Sequence, residues 1–148
     1  MSEIVITGSS GFLAKNTIIQ LKTHNHKVIP LSRQSLPGII KVKNYLDCPD
    51  GDIAIHFAEE ANKRIVNQSD EKYIISSAKT VENLVKKFGK NLIYASSGSV
   101  YGDKGRTSFR VIDKTFIKDN YSKSKIINEQ IVLNGGGTIL RLSNIYGK

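Results

Sequence analysis

The sequence predicts an α/β fold, a doubly wound parallel sheet of about six strands with helices on both faces. Three observations predict it. Short runs rich in β-branched residues alternate along the chain with stretches whose apolar residues recur at helical spacing. The strand-like runs are apolar through their centres, as strands covered on both faces are. The first of them empties directly into a turn that holds Gly8 and Gly11 and opens a helix. Right-handed crossovers between successive parallel strands then wind the sheet.

Taken in order, residues 3–7 (EIVIT) form a buried type of strand, and residues 12–24 carry Phe12, Ile18, Ile19 and Leu21 as a helical stripe. Residues 28–31 make a second strand, 39–42 a shorter third and 53–57 a fourth. Residues 71–88 place Ile74, Ala78, Val81, Leu84, Val85 and Phe88 on one helical face, and Gly89 is the stop. A fifth strand spans 91–96, a helix runs from about 121 to 133 and ends at Gly135-Gly136-Gly137, and 138–142 is the sixth strand. Between Val42 and Ile53 there is room for a turn around Cys48-Pro49-Asp50-Gly51 but not for a full helix. Residues 102–119 show no period and read as an irregular surface excursion, the kind of segment that forms a lid or a substrate-side loop.

With 148 residues, 39% of them apolar and 24% charged, the chain is expected to form one domain. The net charge of +9 comes mostly from lysines spread along the sequence, with only five arginines and no run of five like charges. No basic–aromatic stripe accompanies it, so a solubilising surface is favoured over a nucleic-acid face. A single cysteine, Cys48, excludes an internal disulfide and a cysteine-rich metal site. No apolar run spans a bilayer and the first residues lack a signal-peptide pattern, so no membrane partner is expected and the cytoplasm is the expected location.

In the turn Thr7-Gly8-Ser9-Ser10-Gly11-Phe12-Leu13-Ala14, Gly8 permits a tight exit from the strand and Gly11 removes a side chain where backbone approaches a pyrophosphate. The helix N-terminus beyond them offers free N–H groups and a positive dipole end. Ala14 is small enough for helix and strand to pack closely. A plain structural αβ turn is the alternative. The stretch resembles the Thr-Gly-x-x-Gly-Phe-x-Gly fingerprint of the extended short-chain dehydrogenase/reductase family, with Ala14 in the last place. These are nucleotide-sugar epimerases, dehydratases and reductases built on a Rossmann sheet.

The resemblance implies a dinucleotide held by Gly8, Ser10, Gly11, Phe12 and Leu13. No carboxylate follows the second strand to hold an adenosine ribose; Pro30-Leu31-Ser32-Arg33 stands there instead. Arg33 suits a 2′-phosphate, which favours NADP over NAD, although it can also stack near the adenine or point to solvent. The segment Asn44, Tyr45, Leu46 is similar to the family's adenine-contacting stretch. His56-Phe57-Ala58 resembles its fourth-strand ending, where Phe57 and Ala58 line the cofactor and His56 packs in the core.

The stretch Ser96-Ser97-Gly98-Ser99-Val100-Tyr101-Gly102 closely resembles the family's Ser-Ser-x-x-Val-Tyr-Gly signature. Ser97 takes the catalytic serine position, Tyr121 follows 24 residues later, and Lys125 stands one helical turn beyond Tyr121. Alone, that last spacing means little; in register with the other two motifs it implies a catalytic set. Tyr121 is expected to be acid and base, with the Lys125 ammonium lowering its pKa. Lys125 also holds the nicotinamide ribose, and Ser97 orients the reacting oxygen. Ala95, Tyr121, Lys125 and Leu142 are implied on the cofactor side, and Ser97, Ser99 and Asn144 on the substrate side.

Two departures matter. Gly98-Ser99 lacks the Asp-Glu pair of the dehydratases, and Ser76 stands where the family often has an asparagine. The resemblance stops at the sixth strand, so the family's C-terminal substrate portion is expected to be absent: a fragment, or an unusually short protein that binds cofactor better than it turns over a sugar. The implied function is an NAD(P)-dependent nucleotide-sugar epimerase or keto-reductase, with a homodimer as the implied assembly. A non-catalytic cofactor-binding sensor or regulatory module is the alternative.

Overall fold

The computed structural model describes residues 1–69, 71–103, 105 and 107–147. Its strands are β1 (Glu3–Thr7), β2 (Lys27–Ser32), β3 (Ile40–Lys41), β4 (Ile53–His56), β5 (Leu92–Ser97) and β6 (Thr138–Leu142). The helices are α1 (Phe12–Thr23), α2 (Lys63–Gln68), α3 (Glu71–Phe88) and α4 (Asn120–Asn134). The strands form one six-stranded sheet in the order β3-β2-β1-β4-β5-β6, with every pairing parallel. The doubly wound sheet expected from the sequence is therefore the fold. The winding reverses between β1 and β4, and the carboxyl ends of those two strands open the crevice where such sheets take ligands.

Alternation along the strands feeds two cores. Val5, Leu31, Ala54, Leu92 and Tyr94 face Val81, Leu84 and Phe88 of α3 and Val132 of α4. On the other face Ile4, Ile6 and Ile55 pack with Ala14, Ile18 and Leu21 of α1. Tyr45 and Cys48 lie in the first core. They belong to the helix-free connection from β3 to β4, which α3 pins down: Asn83 donates to the Leu46 carbonyl at 2.7 Å and Lys87 to the Cys48 carbonyl at 2.5 Å. The turn thus fills the place of a crossover helix.

Three local features depart from the sequence expectation. The third strand is only two residues long. A short helix, α2, follows β4; Asn62 caps it by accepting from the Arg64 and Ile65 amides, and at six residues it is too brief to leave a periodic signal. Gly98–Tyr101 form a 3-10 turn beyond β5. The described residues between Gly102 and Asp119 hold no helix or strand, as expected; the basic Lys104 and Arg106 of that segment lie outside the described residues. The run Gly135–Gly137 closes α4 and leads into β6.

Candidate functional site

At the carboxyl edge of the sheet lies a cleft of about 920 Å³. One wall is the glycine turn. Gly8 has φ +71°, and a Cβ there would stand 2.8 Å from the Ala58 amide nitrogen, so β1 and β4 meet only because position 8 has no side chain. The Gly11 amide donates to the Gly8 carbonyl at 2.9 Å and closes the turn. Gly11 is the N-cap of α1, and no side chain caps the helix there. The first-turn N–H groups are thereby left for a ligand, with the positive end of the helix dipole behind them. Phe12 and Leu13 also line the cleft, as do Phe57, Ala95, Leu142 and Asn144.

The opposite wall carries Ser97, Ser99, Tyr121 and Lys125, all four on the cleft lining. Asp119 caps α4, accepting the Ser122 amide at 2.7 Å, while the Ser122 hydroxyl accepts the Asp119 amide at 3.0 Å. Helix α2 reaches the same helix end, with Asn67 Oδ1 accepting the Tyr121 amide at 2.9 Å. These contacts fix the start of α4. Lys123, on the outer side, pairs with Glu71 at 3.0 Å in solvent.

Ser97 Oγ accepts from the Ser99 amide at 3.2 Å and from the Ser99 hydroxyl at 3.0 Å, and Tyr121 stands beside it on the cleft lining. Burial raises the Tyr121 pKa above its ordinary value; the Ser97 hydrogen bond works against that rise, and the charges of Glu59 and Asp119 add to it. This corrects the sequence expectation. The Lys125 ammonium lies 5.9 Å from the centre of the Tyr121 ring and pairs with Glu59, so the lowering expected from it does not offset burial in the free chain.

Lys125 is almost fully buried. Its Nζ donates to the Ala95 carbonyl at 3.1 Å and stands 3.5 Å from Glu59 Oε2. Burial lowers the Lys125 pKa from the ordinary lysine value, and the Glu59 charge opposes that drop. Burial also works against the Glu59 charge, but Lys125, His56 and Ser77 outweigh it and hold the carboxyl down at about 2. Glu59 escaped the sequence reading because nothing about its spacing marks it; only the fold brings it under α4. Ser76, the position compared with the family asparagine, is exposed and bonds back to the Tyr73 carbonyl. Its neighbour Ser77 is the inward residue, on the same face as Ile74 and Val81, donating to Glu59 Oε1 at 2.8 Å.

The other end of the expected cofactor track is less closely gathered. Ser10 meets Ser32, the last residue of β2, at 3.2 Å, and Arg33 follows it, exposed. Asn44 Oδ1 accepts the Leu46 amide at 2.8 Å, a local turn, and the Tyr45 side chain is buried edge-on against His56. None of Ser10, Arg33, Asn44, Tyr45, Leu46 or Ala58 lines the cleft itself. His56 is a core residue, as expected, with Nδ1 2.7 Å from the Thr7 hydroxyl. No cluster of potential metal ligands occurs among the described residues, and no helix there is long and apolar enough to cross a membrane.

Behind the site, Glu129 of α4 joins three elements. It accepts from Ser96 of β5 at 2.5 Å and from both Nε and Nη2 of Arg141 of β6, at 3.0 and 2.7 Å. Arg141 also donates to the Tyr101 hydroxyl at 2.9 Å and to the Val111 carbonyl at 3.2 Å, which roots the 102–119 segment. Replacing Glu129 by glutamine is expected to cost about 1–3 kcal/mol, because a paired, mostly buried guanidinium loses its counter-charge. Urea unfolding measures it; an unchanged midpoint would show the brace to be inert.

Residues 4–148 match the sequence model of the NAD dependent epimerase/dehydratase family, and the chain belongs to that family. The spore coat polysaccharide biosynthesis protein SpsK of Bacillus subtilis (strain 168) is 24% identical over 154 residues, covering 99% of this chain and 54% of the relative. Among solved structures, dTDP-4-dehydrorhamnose reductase from Yersinia enterocolitica superposes with a TM-score of 0.80 at 25% identity, over 100% of this chain and 54% of that one. MoeE5 in complex with UDP-glucose and NAD gives 0.78 at 19% identity, over 93% and 52%. The chain spans about half the length of each.

Proposed function

We propose that the protein is an NAD(P)-dependent oxidoreductase acting on a nucleotide sugar, as an epimerase or a keto-reductase. The observation that carries this reading is the convergence of Ser97, Tyr121 and Lys125 on one cleft whose other wall is the uncapped N-terminus of α1. The volume of the cleft and the free amides of that helix suit a dinucleotide pyrophosphate. A nicotinamide cofactor, when bound, supplies the hydride acceptor or donor. The residues of the chain handle the proton. Tyr121 gives its hydroxyl proton to a carbonyl oxygen as that oxygen becomes an alcohol, and takes it back in the oxidising direction. Ser97 fixes the tyrosine and the reacting oxygen, and Lys125 holds a positive charge beside them. Ser99 and Asn144 border the substrate side.

Arg33 supports NADP as the cofactor, with NAD, bound in the MoeE5 structure, as the other candidate. Replacing Arg33 by alanine is expected to weaken NADPH binding by about 10- to 100-fold, the worth of a charge-assisted phosphate contact, and to leave NADH binding unchanged. Equal loss for both cofactors would remove the 2′-phosphate role. The reading as a whole is tested by titrating NADPH and NADH, then offering UDP- and dTDP-sugars with the bound cofactor. Failure of both cofactors to bind below millimolar overturns it; tight cofactor binding without turnover of any sugar would favour the non-catalytic sensor.

A further inference from the structure

Within the wall of the cleft, one carboxylate gathers partners from three elements. Glu59 lies just past β4, and its side chain is only 6% exposed. Its Oε1 accepts from Ser77 of α3 at 2.8 Å and from Asn128 of α4 at 3.3 Å, with His56 Nε2 of β4 at 3.4 Å. Its Oε2 accepts from the Tyr73 hydroxyl of α3 at 3.3 Å and faces Lys125 Nζ of α4 at 3.5 Å. Tyr73 is itself fixed, accepting the Glu60 amide at 3.0 Å. A buried carboxylate held this way has little freedom to swing.

The geometry determines where Lys125 points. An ammonium has three N–H donors. One is directed at Glu59 and one at the Ala95 carbonyl, 3.1 Å away. Lys125 lines the cleft, and its Nζ lies 5.1 Å from the centre of the buried Tyr94 ring and 5.9 Å from that of Tyr121, so the third has neither a carboxylate nor a carbonyl partner and is left to these rings and the cleft. The buried lysine would shed its proton easily without a counter-charge, because burial favours the neutral amine. The carboxylate is tied to the glycine turn as well. Thr7 Oγ1 accepts the Ala58 amide at 3.3 Å and bonds His56 Nδ1 at 2.7 Å, and the far nitrogen of that ring approaches Glu59.

We propose that Glu59 is a positioning residue for the proposed reaction: it keeps the Lys125 ammonium charged and oriented, with its remaining N–H left to the cleft and the rings of Tyr94 and Tyr121. Its catalytic meaning rests on the oxidoreductase reading above, but its effect on Lys125 does not. The groups that face the pair are His56 from β4, Tyr73 from α3 and Tyr94 from β5, with Glu129 and Tyr121 from α4. Tyr73 and Tyr94 are raised by burial and by the Glu59 charge, and act as neutral neighbours.

The test follows the lysine directly. In protein labelled at lysine Nζ and Cε, Lys125 is titrated by NMR in the parent chain, in Glu59→Gln and in Glu59→Asp. The glutamine variant is expected to deprotonate Lys125 at clearly lower pH, and the aspartate variant to fall between it and the parent. Where a sugar is turned over, kcat in Glu59→Gln should fall about 10-fold at neutral pH, with the alkaline limb moved to lower pH and KM for the cofactor nearly unchanged. An unchanged Lys125 titration in Glu59→Gln overturns the proposal. If that variant does not fold, Lys125→Met decides: the Glu59 carboxyl must then titrate higher than in the parent, and an unchanged Glu59 titration overturns the proposal equally. A shifted lysine in a protein that turns over no sugar leaves the Glu59 assignment standing and defeats the oxidoreductase reading.

Discussion

Replacing Tyr121 by phenylalanine is expected to lower kcat by about 10²- to 10⁴-fold, the span that a placed general acid contributes. The substitution removes one oxygen and leaves the ring where it is. The Tyr121 amide stays bonded to Asn67, and Lys125 keeps its Glu59 and Ala95 partners, so the helix start and the ammonium are not disturbed. Among the described residues the hydroxyl interacts with Ser97, which retains Ser99. Stability should therefore change by no more than about 1 kcal/mol. Cofactor affinity should hold within a few-fold, because the uncapped start of α1, proposed to take the pyrophosphate, is left untouched. Steady-state kinetics beside a cofactor titration and a thermal melt separates these effects. Full turnover in the phenylalanine variant would remove Tyr121 from the chemistry, whatever the cofactor does.

A methyl group at position 8 should be strongly damaging for so small a change. Two independent costs add in Gly8→Ala. The backbone there has φ +71°, a region where a residue with a Cβ is strained by about 1–3 kcal/mol. The new Cβ would also sit 2.8 Å from the Ala58 nitrogen and 2.9 Å from the Phe57 carbonyl carbon, both backbone atoms at the end of β4. Forcing them apart costs about 1–3 kcal/mol more. The melting temperature should fall by about 10 °C or more. Cofactor binding should suffer beyond the loss of folded protein, since the displaced atoms border the glycine turn. A variant that melts with the parent and binds NADPH equally would show that the turn relaxes freely.

The parallel sheet was legible because buried strands and amphipathic helices leave long signals. Residues 71–88 and 138–142 are bounded in the structure as the apolar pattern bounds them. Short elements were not legible: α2 has six residues and a single buried one, Val66, so no period exists to be read. The candidate site divides in the same way. Ser97, Tyr121, Lys125 and the two glycines could be found because fixed spacings carry them, and the fold brings them to one cleft. Glu59 and Ser77 could not, since their meeting depends on how α3 turns under β4. The expected lowering of the Tyr121 pKa missed burial for the same reason: from sequence, Lys125 has only Tyr121 as a visible neighbour, while in the fold a carboxylate from a distant segment pairs with the ammonium.

The three glycines that end α4 look like slack in the chain, and they are the reverse. A side chain at Gly137 would strike Val132 at 2.8 Å and the Leu92 carbonyl at 2.9 Å, and one at Gly135 would collide with Val85. The tail of α4 is thus seated against α3 and β5 with no play. Helix α4 is a rod of 15 residues, about 22 Å long, with the glycines at one end and Tyr121 and Lys125 at the other. A rod seated at its tail acts as a lever: a small tilt at the glycines becomes a displacement of the tyrosine hydroxyl. A shift of about 1 Å in a reacting group is enough to cost about 100-fold in rate. The seating of α4 is therefore set partly at the amino edge of the sheet, at the end of the helix away from Tyr121 and Lys125.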